Sequence, residues 1–68
     1  MILVFKTNVV SPRDARLLHR RLSQRLSTHQ INFDLEDYDK VLRIEHENNI
    51  TNWVIQWLTG WGYVCEEL

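Results

Sequence analysis

The chain has 68 residues, a formal net charge of −1 and one cysteine, and 44% of its residues are hydrophobic while 25% are charged. That length suffices for a single domain, residues 1–68, with one modest core, and the composition is that of a folded chain. No segment approaches the roughly 20 apolar residues of a membrane span, and the start of the chain lacks the pattern of a signal peptide, so we expect a cytoplasmic protein that does not enter a membrane.

The charges are unevenly distributed along the chain. Five of the eight Lys and Arg residues are arginines between Arg13 and Arg25, whereas eight of the nine acidic residues lie from Asp34 onwards. The sequence therefore predicts a dipolar molecule rather than a basic one.

The first two predicted elements are a strand and a helix. Ile2 to Phe5 is a continuous apolar run rich in strand formers, which indicates a buried central strand. Ser11 is a suitable N-cap, Pro12 suits the first helical position, and Asp14 adds a carboxylate to the first turn. Apolar residues then recur every three or four positions, which predicts a first helix that ends near Ser27. They are Ala15, Leu18, Leu22 and Leu26.

A hairpin, a second helix and a last strand follow. Residues 31–36 and 41–46 alternate apolar and polar, which predicts two strands joined by a turn at residues 37–39. Asn and Thr residues between Asn48 and Thr51 can cap a second helix, which Gly60 and Gly62 end. That helix carries the three tryptophans, and residues 63–65 form the last strand with Cys65 facing the core.

The predicted order is strand, helix, strand, strand, helix, strand. Right-handed crossovers and short connections favour one α+β topology for this order. It is the ferredoxin-like βαββαβ sandwich, a four-stranded antiparallel sheet with two helices on one face.

Several segments together resemble the heavy-metal-associated domain of copper chaperones and metal-transporting ATPases. They are Phe5 to Asp14, Asp34-Leu35, Lys40 to Ile44 and Gly62-Tyr63. In that family a Cys-x-x-Cys pair at the first corner binds Cu(I) or another soft ion, and here the two positions are Ser11 and Asp14. A hydroxyl and a carboxylate do not replace two thiolates. The resemblance thus implies a degenerate member without the soft-metal site, and we expect no cofactor.

Three other residues are weaker metal candidates. His29 and His46 fall at the same end of the predicted hairpin, where two imidazoles could share a transition metal, and Cys65 is the only thiol. Two histidines without a third ligand make a weak site, and a cysteine facing the core behaves as a small hydrophobe. A metal carrier with these atypical ligands is therefore the alternative hypothesis.

Nucleic-acid binding through the arginine-rich first helix is a second alternative. Five arginines could meet phosphates. RNA-recognition modules of this topology, however, stack bases on aromatic residues of the sheet, whereas the predicted open face here carries residues such as Asp34, Arg43 and Glu45. A solvated helix face is the simpler interpretation.

Protein binding, to a partner or to a second copy, is the leading hypothesis. Four aliphatic residues are predicted on the open sheet face, where they would form an apolar patch: Ile2, Val4, Val41 and Val64. The predicted topology also gathers the first corner, the hairpin turn and the end of the second helix at one end of the molecule. Metal-binding relatives dock partners there, so the resemblance implicates Val10, Tyr38 and Trp61.

The sequence contains no recognisable catalytic constellation. There is no glycine-rich phosphate loop and no nucleophile, base and acid at a known spacing. We therefore expect a domain that is not an enzyme.

Overall fold

The computed structural model describes residues 1–28 and 30–68, and within them the elements follow the predicted order. The chain forms β1 (Ile2–Thr7), α1 (Pro12–Leu26), β2 (Ile31–Asp34), β3 (Val41–Glu45), α2 (Thr51–Gly60) and β4 (Cys65–Glu67). The α+β class is confirmed.

The four strands form one antiparallel sheet in the order β2-β3-β1-β4. The central strand β1 pairs with β3, placing Phe5 opposite Leu42, and with β4, placing Thr7 opposite Cys65. The outer strand β2 pairs with β3, with Ile31 opposite Ile44. β1 is thus central, as its apolar run predicts.

One core joins the sheet to both helices. Leu3 and Phe5 of β1 are buried together with Leu42 and Ile44 of β3, because side chains at alternate strand positions point to the same face. The helices complete this cluster with residues at helical spacing: Ala15, Leu18 and Leu22 of α1, and Val54 and Leu58 of α2.

The strand boundaries differ from the prediction: β1 continues to Thr7 rather than Phe5, β3 ends at Glu45 rather than His46, and β2 and β4 are shifted. β2 stops at Asp34 rather than Glu36, because the Asp34 carboxylate accepts the N–H groups of Glu36 and Asp37 and turns the chain. β4 occupies residues 65–67 rather than 63–65, because the N–H of Val64 donates to the Asn8 side chain instead of a β1 carbonyl. Both shifts arise from side-chain acceptors that compete with the backbone ladder.

The start of α2 lacks the predicted side-chain cap. Its N-cap is Ile50, while Asn49 Oδ1 accepts from the N–H of Thr51 at 3.1 Å. The hydroxyl of Thr51 is buried and has no hydrogen-bond partner in the described part of the chain. Of the two glycines predicted to end α2, Gly62 follows the helix and has a φ of +93°, which suits glycine. Gly60 is instead the last helical residue.

We expect Thr51→Val to stabilise the domain. Valine has the same shape and removes a buried hydroxyl without a partner, so the free energy of unfolding should rise by about 1 kcal/mol. Urea denaturation measures this change, with Thr59→Val at an exposed position of α2 as the control. A loss of stability in Thr51→Val alone would contradict the prediction.

Across residues 1–28 and 30–68, the helices lack the length and apolar character that crossing a bilayer requires.

Candidate functional site

The first corner is built as a helix start. Ser11 has extended backbone angles, and its Oγ accepts from the N–H of Asp14 at 3.3 Å, while Pro12 opens α1. The Asp14 carboxylate lies in the first turn, where it opposes the positive end of the helix dipole. Both residues at the family's cysteine positions therefore act locally on the helix.

Asp14 also lies close to the segment between α2 and β4. Burial raises the pKa of the Tyr63 hydroxyl above 10.0, and the charge of Asp14 and hydrogen bonding to it raise it further. The Asp14 carboxylate therefore disfavours ionisation of the neighbouring Tyr63 hydroxyl.

Hydrogen bonds gather three connections at the end of β1. The N–H of Thr7 donates to the Asp39 carbonyl at 3.1 Å, and the Thr7 hydroxyl donates to the Lys40 carbonyl at 2.6 Å. The adjacent Asn8 accepts from the N–H of Val64 at 2.9 Å. The first corner, the β2–β3 turn and the α2–β4 segment consequently lie at one end of the molecule.

The β2–β3 turn is braced by its own side chains. Asp34 accepts two N–H groups, Asp37 accepts the N–H of Asp39 at 2.8 Å, and Lys40 Nζ donates to the Leu35 carbonyl at 2.9 Å. At the tip of this turn Tyr38 is 94% exposed. An exposed phenol ring is thereby held on a hydrogen-bonded frame.

Each of the three connections exposes one large apolar side chain at this end. Besides Tyr38, Val10 of the first corner is 66% exposed and Trp61, after α2, is 45% exposed. We call Val10, Tyr38 and Trp61 the loop-end surface. These are the residues that the resemblance implicates.

The predicted patch on the open sheet face is wrong as a continuous surface. Ile2 and Val64 are exposed, but Val4 is half-buried and Val41 is only 4% exposed. Val41 lies in register between Lys6 of β1 and Asp34 of β2, whose side chains flank it on the same face.

Val64 lies outside the sheet, beside Asn8, and so does not extend a patch in the middle of the open face. Ile2 lies near the opposite end of β1, where it pairs with Glu45. The four residues are therefore spread along the sheet rather than gathered.

Cys65 is a core residue. It is buried in the cluster that contains Phe5 and Leu58, and this burial, together with the charge of Glu66, raises the pKa of the thiol from 9.0 to about 11. The thiolate needed for metal binding or nucleophilic attack is thus disfavoured at neutral pH.

The raised pKa predicts a loss of stability in alkali. Between pH 9 and 11 the unfolded chain releases the Cys65 proton while the folded chain retains it, so the free energy of unfolding should fall as pH rises through this window. Urea denaturation at several pH values measures the slope, with Cys65→Ala as the control. An equal slope in both proteins would contradict the assignment.

The histidine pair is only partly described. His46 Nδ1 accepts from the N–H of Asn48 at 3.1 Å, which leaves Nε2 as its free ring nitrogen. His29 lies outside the described residues. Within the described part, no group of three or more His, Cys, Asp and Glu side chains is placed to hold a metal ion.

The tryptophans meet the arginines between the two helices. Trp53 and Trp57 stack with ring centroids 6.1 Å apart, and Trp57 lies 5.8 Å from Trp61. The Cζ atom of Arg21 lies 5.5 Å from the centroid of the Trp61 ring, and that of Arg25 lies 5.9 Å from the centroid of the Trp53 ring. These contacts cover part of the ring faces and give two of the five helix arginines a structural role.

The sequence interpretation missed Thr7 and Asn8, which hold the loop end together. A signal for Thr7 was present, since it continues the inward alternation of Leu3 and Phe5 with a polar residue. A buried polar residue needs partners, and here they are the turn and the corner.

The chain matches no protein-family model, no curated protein and no solved structure.

Proposed function

We propose that the chain is a small non-enzymatic domain that binds a protein partner through the loop-end surface. The observation that carries this proposal is the presentation of Tyr38, which is almost fully exposed on a turn held by five hydrogen bonds. The Asp34 carboxylate accepts two of them, Asp37 accepts one, the Lys40 ammonium donates one and the Lys40 carbonyl accepts one. A rigid exposed aromatic gives contact area at little cost in side-chain and backbone ordering, which is why tyrosine is enriched at binding hot spots.

The neighbouring residues suit a protein partner better than a charged ligand. Val10 and Trp61 add apolar area at the same end, the carboxylates of Asp34 and Asp37 accept backbone N–H groups, and the Asp39 carboxylate lies 3.8 Å from Lys6 Nζ. An apolar centre with a polar rim is the usual anatomy of a protein interface.

We propose the ferredoxin-like βαββαβ sandwich as the scaffold, with both helices on one face, and a degenerate heavy-metal-associated domain as its origin. The strand order supports this, because β2-β3-β1-β4 reads 4-1-3-2 from the other edge. The shared core of both helices and the inward face of β1 and β3 supports it as well.

The residues at the corner do not fit a soft metal. Ser11 offers a hydroxyl that already accepts the N–H of Asp14, and Asp14 offers a hard carboxylate beside Tyr63. Among the alternative ligands, Cys65 is buried and its thiol has a raised pKa. Native mass spectrometry with Cu(I) or Zn(II) tests the metal alternative, which a stoichiometric adduct would support.

A photo-crosslinking experiment tests the proposed function. A benzoylphenylalanine in place of Tyr38 should capture one defined protein in cells, whereas the same group in place of Gln24, an exposed residue of α1, should not. The captured protein is then purified and titrated with the unmodified chain.

We expect Tyr38→Ser to weaken this binding by at least about tenfold, as for a hot-spot residue, and Gln24→Ser to leave the dissociation constant unchanged. The proposal fails if position 38 captures nothing beyond position 24, or if the two variants bind equally.

A further inference from the structure

The outer edge of β2 carries backbone groups without a strand partner. Within residues 1–28 and 30–68, β2 pairs with β3 and with no other strand, and the N–H of Glu45 donates to the carbonyl of Gln30 at 2.9 Å. Because hydrogen-bonded positions alternate in an antiparallel pair, Ile31 and Phe33 direct their N–H and C=O groups away from β3. This edge is a template for a further strand.

A groove of about 510 Å³ runs beside this edge, between β2 and α1. Buried Ala15 and Ile31 and half-buried Phe33 give it an apolar floor. Arg16, His19 and Arg20 of α1 form its rim. The groove has the size and mixed lining that accept a side chain of a bound peptide.

Among the described residues, the arginines on this rim have no acidic partner. In the described part of the chain the ion pair is Lys6 with Asp39, on another part of the sheet. α1 contains five arginines and one acidic residue, Asp14, in its first turn. Arg21 and Arg25 lie over tryptophan rings, whereas Arg16 and Arg20 make no such contact with an aromatic ring in the part of the chain that the structure describes. Their guanidinium groups are free to bind carboxylates in bidentate geometry.

The charges argue against a second copy as the occupant. Pairing two β2 edges about a twofold axis would bring α1 of one protomer alongside α1 of its partner on the same side of the sheet. Arg16 and Arg20 of both copies would then face each other, and like charges at an interface are unfavourable. Nucleic acid is also disfavoured, because a sugar-phosphate chain cannot continue a strand ladder.

We propose that the β2 edge binds an extended acidic peptide segment of a partner protein by strand addition. Ile31 and Phe33 supply the backbone hydrogen bonds, and the groove takes an apolar side chain of the peptide. Arg16 and Arg20 pair with the carboxylates that lie two positions before and after this apolar residue. Side chains two apart in a strand share a face, so the recognised pattern is acidic-x-apolar-x-acidic. This surface is separate from the loop-end surface, so either can fail alone.

The probe is the labelled peptide Gly-Glu-Thr-Ile-Thr-Glu-Thr-Gly, titrated into the ¹⁵N-labelled chain and followed by NMR. We expect shifts concentrated at residues 15–20 and 31–33, with slower amide exchange at Ile31 and Phe33. The peptide with Lys in place of Glu should bind at least about tenfold more weakly.

Matched variants separate the groove from general charge. Arg16→Glu with Arg20→Glu should weaken binding by about tenfold or more, whereas Arg21→Glu with Arg25→Glu makes the same charge change on the side of α1 that faces the α2 tryptophans and should not. Equal weakening by both pairs, or shifts that avoid β2, would overturn the proposal.

Two further measurements test the competing occupants, nucleic acid and a second copy of the chain. Single-stranded oligothymidine that produces the same shifts with higher affinity would replace the peptide with nucleic acid. Sedimentation that shows a dimer, abolished by Phe33→Pro, which removes an outward N–H of β2, would replace it with a second copy. A monomer that binds the acidic peptide and not the oligonucleotide supports the proposal.

Discussion

Phe5→Ala is expected to remove most of the stability of this domain. Phe5 is fully buried in the central strand, and it packs in the cluster that joins both helices to the sheet. Truncation of a buried phenylalanine costs about 3 to 5 kcal/mol, because the lost apolar contacts are followed by an unfilled cavity. A domain of 68 residues has a total stability of about 3 to 10 kcal/mol.

Urea denaturation followed by tryptophan fluorescence measures this effect. Phe5→Leu should lose much less stability, since leucine fills most of the volume. Ile2→Ala, at an exposed position of the same strand, should change the free energy of unfolding by no more than about 0.5 kcal/mol. A small loss in Phe5→Ala would mean that β1 is not the centre of the core.

The elements that local chemistry dictates could be predicted from the sequence. Ser11, Pro12 and Asp14 specify a helix start whatever surrounds them, and the spacing of Leu18 and Leu22 fixes the buried face of α1. The run at Ile2 to Phe5 similarly identified the central strand. Each of these signals lies within one turn or one strand.

Exposure on the sheet could not be predicted in the same way. The alternation correctly predicted that Val41 faces away from the helices, but the neighbouring Lys6 and Asp34 bury it, so it is not on the surface. Val64 was expected in the last strand, but the side chain of Asn8, distant in sequence, takes its N–H group. Both outcomes depend on register between strands that sequence periodicity does not contain.

The two proposed binding surfaces also differ in how far the sequence could predict them. The resemblance singled out Tyr38 at the hairpin turn, and its ring is exposed, while its role in binding stays a prediction. The groove at β2 was not anticipated, because Arg16 and Arg20 meet Ile31 and Phe33 only once α1 lies beside that edge. The arginine and tryptophan pairs likewise require the placement of one helix against the other.

Thr7 is the residue on which the loop end depends. Its buried hydroxyl donates to the Lys40 carbonyl at 2.6 Å and accepts from the N–H of Val9 at 3.2 Å, so one oxygen joins β1, the first corner and the hairpin turn. Lys40 has a φ of 49°, a left-handed conformation that a lysine adopts only where its surroundings hold it.

Thr7→Val should therefore destabilise the domain although it preserves shape and apolar packing. The substitution leaves the buried Val9 N–H without its acceptor, and the expected loss is about 2 to 3 kcal/mol in the free energy of unfolding, with faster amide hydrogen exchange at Val9. Thr7→Ser keeps the hydroxyl and loses one methyl group, so it should cost only about 1 kcal/mol. Urea denaturation compares the free energies of unfolding of the two variants. Thr7→Ser is the more stable variant if the hydrogen bonds dominate, and Thr7→Val is the more stable variant if apolar packing does.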